Sequence, residues 1–285
     1  MQLKVKINLA LQYLVPQHAL SRLAGWIANC RWHWLKTKLI NDFIKRYQVD
    51  LSIATLEKVD DYANFNSFFT RQLKPACRPI VEGQHQIASP VDGCVSQAGQ
   101  IRQDSLFQAK GHIYHLSDLL GGNTELTKQF LDGEFATLYL APKDYHRVHM
   151  PLRGTLTETI YIPGKLFSVN QQTTKYVSQL FSRNERLVCI FATDLGPMAV
   201  ILVGAIAVSG IETVWPSDCH TRAPLQKTYE KGITLEKGAE LGHFKMGSTV
   251  ILLFPNNTVR WIKELKEEVC VTMGSLIGHV ISDSR

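Results

Sequence analysis

Ser248, at the entrance to an apolar run, is the residue whose setting most favours chemistry. It follows a glycine-containing segment, 242–247, and leads into the β-prone run 249–254. Gly247 has no side chain, so its carbonyl can be approached closely and its backbone can adopt strained angles. This setting suits an attack of the Ser248 hydroxyl on the Gly247 carbonyl, which would turn the peptide bond into an ester.

Such an ester leads to a new chemical group at the start of the second fragment. A base that removes the α-proton of Ser248 expels the ester by β-elimination, and hydrolysis of the resulting dehydroalanine releases ammonia and leaves a pyruvoyl group. A serine hydroxyl is a weak nucleophile and needs an activating base. Such a reaction would cut the chain between Gly247 and Ser248 and give fragments 1–247 and 248–285.

Two histidines in the segment between Pro142 and Pro151 are candidates for that base. His146 and His149 lie there among Lys, Asp, Tyr and Arg side chains, and histidine is the natural proton-transfer group near neutral pH. Asp92 could orient a histidine, because such triads are defined by geometry and not by chain order. Asp92 is followed by glycine, however, and Asp-Gly favours hairpin turns, so a purely structural role stays open for it, as it does for His149.

Metal and disulfide chemistry are not indicated. The pairs His112/His115 and His146/His149 are spaced as H-x2-H, but no HExxH carboxylate or cysteine pair accompanies them, and the sequence predicts no metal site. The six cysteines are scattered without a CxxC pair. This pattern predicts reduced, structural thiols.

The elements that must position these residues are mostly strands. After about residue 80, β-prone runs alternate with Gly, Pro, Asn and Asp, which predicts strands at 133–140, 153–162, 186–192, 198–210, 249–254 and 269–273. A helix is predicted over 117–131, interrupted at Gly121-Gly122. Strands without regular intervening helices argue against Rossmann and TIM-barrel architectures. The predicted class is α+β, with a mainly antiparallel β domain whose turns have barrel-sandwich-like features.

The N-terminal segment is predicted to be helical and to meet a membrane surface. The spacing over 9–47 is helical, with breaks at Pro16 and Gly25 and an N-cap at Ser21. Residues 1–50 carry eight basic and two acidic side chains, which accounts for the whole net charge of +6. Tryptophans, tyrosines and aliphatic residues among the cations favour helices lying on an anionic bilayer, although a basic helical pair docked on its own domain would look similar.

Other assignments for the N-terminal segment are less well supported. No run reaches the roughly 18–20 apolar residues of a spanning helix, no nucleic-acid-binding signature follows the basic block, and no signal peptide is predicted. We place the boundary so that residues 1–66 form the membrane-docking segment and residues 67–285 the catalytic β domain.

At this point the combination of motifs resembles one family. The chain is similar to the bacterial phosphatidylserine decarboxylases over nearly its whole length, in the segments NFNSFFTRQLKP, SPVDG, DYHRVHMP, PGKLFSVN, FSRNERLV, LGPMAVILVGAIAVSGIETVW and FKMGST. It departs from the family in having MGST where LGST is common, and SPVDG where an Ala often replaces the Val. Met for Leu nearly conserves volume and leaves Gly247 and Ser248 intact.

The resemblance implies roles for individual residues. Ser248 matches the serine that becomes the pyruvoyl group, His149 and Asp92 match the other members of the self-cleavage triad, and His146 matches a histidine associated with decarboxylation. The pyruvoyl carbonyl would form a Schiff base with the amine of phosphatidylserine and accept the electron pair left by carbon dioxide, so that no pyridoxal phosphate is needed. The product would be phosphatidylethanolamine.

The resemblance also implies partners and a location. It implies a peripheral enzyme of phospholipid biosynthesis on the cytoplasmic face of the inner membrane, a homodimer whose two fragments stay together, with phosphatidylserine in an anionic membrane as its partner and no nucleic acid. Two other classes stay open on the residues alone. A carrier module is suggested by the turn-rich segment 234–242, and a serine hydrolase by Ser248, His149 and Asp92, although the Gly-x-Ser-x-Gly elbow is absent.

Overall fold

Helices dominate the first quarter of the chain, and strands dominate the remainder. The computed structural model describes residues 12–13, 15–109, 112–205, 210–216, 221, 223–245 and 248–281. Its α-helices are α1 (Gln17–Ala28), α2 (His33–Tyr47), α3 (Phe65–Phe69), α4 (Leu116–Leu119), α5 (Thr124–Phe130), α6 (Gln171–Thr174) and α7 (Leu180–Arg183). Short 3-10 turns lie at Val59–Asp61 and Pro75–Cys77.

The strands are short, apart from a few long members of the central sheet. They are β1 (Gln86–Ala88), β2 (Gly93–Gln100), β3 (Ser105–Ala109), β4 (His112–His115), β5 (Glu134–Leu140), β6 (Arg147–His149), β7 (Gly154–Ile162), β8 (Arg186–Thr193), β9 (Gly196–Val203), β10 (Ile211–Thr213), β11 (Leu225–Leu235), β12 (Glu240–Phe244), β13 (Ser248–Phe254), β14 (Val259–Trp261), β15 (Cys270–Val271) and β16 (Leu276–Val280).

An eight-stranded antiparallel sheet forms the centre of the molecule. Its strand order is β11-β7-β8-β9-β13-β5-β2-β15, so β13 lies in the middle and all seven of its residues are buried. Successive side chains of a strand point to opposite faces. Val250 and Leu252 therefore enter the core on one face, and Ile251 and Leu253 enter a second core on the other.

Smaller sheets complete the β region and carry part of the site. Strands β10, β12 and β6 form one three-stranded sheet, β1, β16 and β14 form another, and β3 pairs with β4. The described strands do not close into a barrel. The fold is thus α+β with antiparallel sheets, which confirms the predicted class. The predicted barrel-sandwich-like features do not amount to a closed barrel among the described strands.

The strand predictions are confirmed with small shifts of their ends. The predicted runs correspond to β5, β7, β8, β9, β13 and β15, although the end of the run 198–210 extends into residues 206–209, outside the described residues. The predicted strands do not include β11, the longest described strand. Its alternation of charged and polar residues, with much of its length exposed, hides the pattern of a half-buried strand.

The predicted helix over 117–131 is two helices. α4 ends at Leu119 and α5 begins at Thr124, and both Gly121 (φ +75°) and Gly122 (φ +82°) lie in the left-handed region between them. Glycine adopts this conformation at little cost. The Gly-Gly interruption is therefore confirmed as the break.

The N-terminal helices correct two details of the sequence reading. α1 starts directly after Pro16, as expected, but it continues through Ser21 and Gly25 without a break. Ser21 is therefore an interior residue of the helix and not its N-cap. A single interior glycine costs only about 1 kcal/mol of helix stability, and Gly25 is buried, where packing outweighs that cost.

An aromatic cluster joins the N-terminal helices to one another. Phe65, Phe68 and Phe69 of α3 pack with Ile40 of α2 and with Tyr62. Each fully buried aromatic side chain contributes on the order of 2 kcal/mol relative to exposure. The proposed boundary between residues 66 and 67 falls inside α3, so the helical segment and the β domain share this helix.

The expectation of reduced cysteines is wrong for one pair. Cys94 of β2 and Cys270 of β15 face each other across the sheet edge and form a disulfide. The two residues are 176 positions apart in the sequence, so no local spacing could have indicated their pairing. Cys30, Cys77 and Cys189 take part in no disulfide among the described residues. No described helix is both long and apolar enough to cross a bilayer.

Candidate active site

Ser248 is the first residue of the central strand β13. It pairs with Leu140, the last residue of β5, and its side chain is completely buried. Gly247, the other half of the predicted cleavage site, lies outside the described residues. The structure therefore places the serine where the sequence predicted it, at a strand entrance, and adds that it is sealed from bulk water.

His146 is the side chain that contacts Ser248. Its Nδ1 lies 3.5 Å from the Ser248 Oγ, and its Nε2 lies 3.1 Å from the Ala141 carbonyl oxygen. A carbonyl oxygen can only accept a hydrogen bond, so Nε2 carries the proton and the lone pair of Nδ1 faces the serine. At 3.5 Å the contact between Nδ1 and the Ser248 Oγ is long for a hydrogen bond and corresponds to a weak interaction.

The surroundings of His146 keep its imidazole neutral. Its ring stacks on Phe69 with the ring centroids 4.0 Å apart, and the side chain is fully buried. Burial, aided by the nearby positive charge of Arg71, lowers the pKa of His146 to about 3. Removing a charged group from water disfavours its ionised form, so His146 is uncharged in the folded protein at neutral pH.

The turn that carries His146 is shaped by Asp144. The Asp144 carboxylate accepts a hydrogen bond of 2.7 Å from the Ala141 amide, so the turn is closed by its own side chain, as Asp commonly does in turns. Burial raises the pKa of Asp144. Asp144 thus fixes Ala141, whose carbonyl in turn sets the tautomer of His146.

His149 has different partners in the structure. Its Nδ1 donates to the Gly238 carbonyl at 2.8 Å, which leaves Nε2 as an acceptor for the Tyr145 hydroxyl at 3.2 Å. Burial lowers the pKa of His149, while the hydrogen bond to Gly238 and the charges of Glu240 and Asp92 act in the opposite direction. No side-chain hydrogen bond joins His149 to Ser248 or Asp92 within the described residues.

Asp92 is held by an arginine. Its carboxylate accepts two hydrogen bonds from Arg78, of 2.8 and 2.6 Å, and a third of 2.8 Å from the Met273 amide. The Asp92 turn also adjoins β6, because the His149 amide donates to the Pro90 carbonyl at 2.8 Å. Asp92 and His149 are therefore neighbours through the backbone, and Asp92 is at once a turn residue and a buried, hydrogen-bonded side chain.

A charged network ties the segment before Ser248 to the strand that carries His149. Arg147 of β6 donates to both carboxylate oxygens of Glu240 in β12, at 2.9 and 2.7 Å. His243 and Lys245, further along, both contact Glu212 of β10. Because these pairs are partly buried, they are screened less by salt than surface pairs. The Arg147–Glu240 pair fixes β12 against β6, and the contact of His243 with Glu212 fixes β12 against β10.

Sequence reasoning missed three residues of the site: Phe69, Arg71 and Arg78. All three lie in the segment 65–80, in which the sequence analysis named no site residue. The usable signal was three phenylalanines within Phe65–Phe69, followed two positions later by Arg71. A surface loop seldom buries three phenylalanines in five residues.

A pyruvoyl group at residue 248 is compatible with these surroundings. The group is uncharged and hardly larger than the serine it replaces, and the described side chain that contacts the Ser248 hydroxyl is the neutral imidazole of His146. A neutral carbonyl at this buried position leaves no unpaired charge, which would be costly there. The described residues contain no group of three or more His, Cys, Asp or Glu side chains suited to a metal ion.

The fold and the site together define an α+β protein with a buried serine–histidine pair at the start of its central strand. A family model described as phosphatidylserine decarboxylase matches residues 65–279, and a second, described as PSD, matches residues 7–48. Phosphatidylserine decarboxylase proenzymes are similar along their full length. That of Alcanivorax borkumensis is 51% identical over 100% of both chains, and that of Pseudomonas fluorescens is 52% identical over 97% of this chain and 99% of its own. The chain belongs to the phosphatidylserine decarboxylase family.

The neutral state of His146 predicts a pH dependence of stability. The unfolded histidine binds a proton below a pH of about 6.5, whereas the native one stays neutral down to about pH 3. Between these values the unfolded state binds more protons, so stability falls as the pH is lowered, by up to about 1.4 kcal/mol per pH unit. Urea unfolding at pH 7 and pH 5 should show a smaller loss in His146→Asn than in the parent, by about 2 kcal/mol.

The measurement is best made in a Ser248→Ala background, so that every sample is a single covalent species. Equal losses of unfolding free energy in the parent and in His146→Asn would show that His146 is already charged, or exposed, in the folded protein.

Proposed function

We propose that this chain decarboxylates phosphatidylserine to phosphatidylethanolamine, using a pyruvoyl group made from Ser248 by self-cleavage after Gly247. The observation that carries the proposal is the buried Ser248 at the start of the central strand, 3.5 Å from a neutral histidine, in a chain of this family. The relatives named above are called proenzymes, a word that implies processing of those proteins.

Self-cleavage needs a base for the Ser248 hydroxyl, and His149 suits this step better than His146. A histidine with a pKa of about 3 accepts a proton poorly. Burial lowers the pKa of His149 as well, but there the Gly238 hydrogen bond and the charge of Glu240 oppose the shift. The Gly238 carbonyl fixes the proton on Nδ1 and leaves Nε2 basic. Its present partner there, the Tyr145 hydroxyl at 3.2 Å, is exchangeable for the serine hydroxyl, since hydrogen bonds used in catalysis often tighten only during the reaction.

Every bond that forms or breaks in the cleavage is accounted for by the chain and one water molecule. The Ser248 Oγ bonds to the Gly247 carbonyl carbon, the carbon–nitrogen bond of the peptide breaks, and the hydroxyl proton passes through the base to the freed nitrogen. Loss of the α-proton then expels the Gly247 carboxylate, and water releases the nitrogen as ammonia. Arg78 holds the Asp92 carboxylate in place beside this machinery through its two hydrogen bonds.

We assign a role in the second reaction, decarboxylation, to His146, which lies next to residue 248. When present at residue 248, the pyruvoyl group supplies a carbonyl that accepts the electron pair released with carbon dioxide. His146 lies against that position, holds its proton on Nε2 toward Ala141 and directs Nδ1 at residue 248. Phe69 fixes the ring and, with the rest of the buried shell, excludes water, so that His146 governs where a proton is held.

We place membrane docking on the N-terminal helices, as a peripheral association with the inner face of the cell membrane. Trp26, Trp32 and Trp34 are 68%, 63% and 64% exposed. They lie within residues 1–50, where basic residues outnumber acidic ones four to one. Exposed tryptophans beside cations are typical of surfaces that enter the interfacial region of an anionic bilayer. The homodimer expected from the family stays a proposal, and no nucleic-acid partner is proposed.

Ser248→Ala tests the cleavage directly. On a reducing gel the parent should give two fragments, 1–247 and 248–285, and the variant one intact chain, because the attacking hydroxyl is gone. Reduction is required, since the Cys94–Cys270 disulfide would keep the two fragments together. Intact mass should also show the loss of ammonia from the smaller fragment. A parent that stays uncut, as a carrier module or a serine hydrolase would, contradicts the proposal.

Replacing each histidine in turn separates the two steps. His146→Ala should still be cleaved but lose decarboxylation by at least a hundredfold, because the group beside residue 248 is missing. His149→Ala should stay uncut, because the base that activates the Ser248 hydroxyl is missing. Gel and decarboxylation assays on both variants report the steps independently. The reverse pattern would assign cleavage to His146, which is the histidine that contacts Ser248 in the structure.

The exposed tryptophans predict the mode of membrane binding. Replacing Trp26, Trp32 and Trp34 together with alanine should weaken binding to phosphatidylserine-containing vesicles at least tenfold, because the aromatic side chains no longer enter the interface. Sedimentation with vesicles at low and high salt measures the effect, and Tyr176→Ala, an exposed aromatic of the β domain, serves as a control. Unchanged binding would show that these side chains do not contact lipid.

A further inference from the structure

Arg71 is a buried cation with unused hydrogen-bond donors. It is only 4% exposed. Its Nη2 donates to the Lys143 carbonyl at 3.0 Å, but its Nε and Nη1 are buried without a hydrogen-bond partner in the part of the chain that is described. Its guanidinium lies 5.6 Å from the centre of the Phe68 ring, a contact that stabilises a cation without satisfying its N–H groups.

One buried and one partly buried arginine show how this chain satisfies a guanidinium with a structural role. Arg186, 2% exposed, donates to the backbone carbonyls of Leu119, Ser182, Asn184 and Asp118. Arg78 is neutralised by Asp92. For Arg71, in contrast, the described residues contain no ion-pair partner. The carboxylates of Asp92 and Asp144 act on Arg71 from beyond ion-pair distance, and a buried charge without a paired anion is costly, so Arg71 is placed to receive an anion that the described residues do not supply.

Arg71 borders the candidate active site. Its Nη2 donates to the carbonyl of Lys143, which lies in the turn 141–146 that ends in His146. Two residues earlier, Phe69 stacks on the His146 ring, and the charge of Arg71 acts on His146. The turn and the imidazole therefore separate Arg71 from Ser248 by a single layer of side chains.

We propose that Arg71 binds the phosphodiester of the substrate headgroup and so selects a phospholipid over a free amino acid. This inference rests on the proposed function, because cleavage beside Ser248 is the event that would open the sealed site. The substrate carboxylate is the less suitable partner. Its charge disappears as carbon dioxide leaves, so a cation bound to it would stabilise the substrate more than the transition state. The phosphodiester keeps its charge throughout, and arginine is well suited to bind it.

The test uses processed protein and three soluble amines. Glycerophosphoethanolamine carries the phosphodiester without a carboxylate, L-serine carries the carboxylate without a phosphate, and ethanolamine carries neither. Each is attached to the protein reductively with cyanoborohydride, and intact mass gives the concentration for half-maximal attachment. The variants are Arg71→Met and Arg71→Lys, with Arg153→Met as the control, because Arg153 is an exposed residue paired with Glu236.

We expect Arg71→Met to raise the half-saturating concentration of glycerophosphoethanolamine at least tenfold, and Arg71→Lys to raise it less. The values for ethanolamine and L-serine should not change, and Arg153→Met should behave as the parent. Equal values for glycerophosphoethanolamine in all variants would overturn the inference, and so would an effect confined to L-serine, which would assign Arg71 to the carboxylate.

Two further outcomes keep the inference separate from the proposed function. If the parent is uncut and takes up none of the amines, the proposed function itself fails. If the parent and Arg153→Met are cleaved but both Arg71 variants are not, Arg71 is needed for folding or processing and the assignment to the headgroup is overturned. If only Arg71→Met is uncut, Arg71→Lys carries the test.

Discussion

The site depends on a single buried contact, in which an uncharged imidazole faces the first residue of the central strand. His146 can hold this position only while it is neutral, because a buried imidazolium with no anion beside it would be costly. The Ala141 carbonyl fixes its proton on Nε2, and Phe69 covers one face of its ring. Proton position, ring orientation and exclusion of water around Ser248 thus follow from one packing arrangement.

That arrangement couples the N-terminal helices to the β domain. Phe69 belongs to the aromatic cluster of α2 and α3 and at the same time stacks on His146, and Thr70 accepts a hydrogen bond from Arg147 of β6. A segment proposed to rest on the membrane is therefore in direct contact with the side chains around the reactive serine. Orientation of the helices on a bilayer would orient the site as well.

Electrostatics divides the site into two halves. Around His149, burial disfavours a proton on the ring, but the Gly238 hydrogen bond and the carboxylates of Glu240 and Asp92 favour one. Around His146, burial and the cation of Arg71 disfavour one. The two histidines are three residues apart in sequence and share a residue type, yet their surroundings give them different proton affinities. Environments that separate the pKa values of like groups are a common means of assigning different catalytic roles.

The sequence alone determined the α+β class, most central strands, the break at Gly121-Gly122 and the position of Ser248 at a strand entrance, because these follow from local periodicity and turn chemistry. Only the tertiary structure decided which histidine touches Ser248, that Arg78 holds Asp92, that Cys94 pairs with Cys270, and that Phe69 and Arg71 border the site. These are contacts between segments far apart in the chain. No spacing along a sequence specifies such contacts; they are set by strand register and by the burial of side chains between layers.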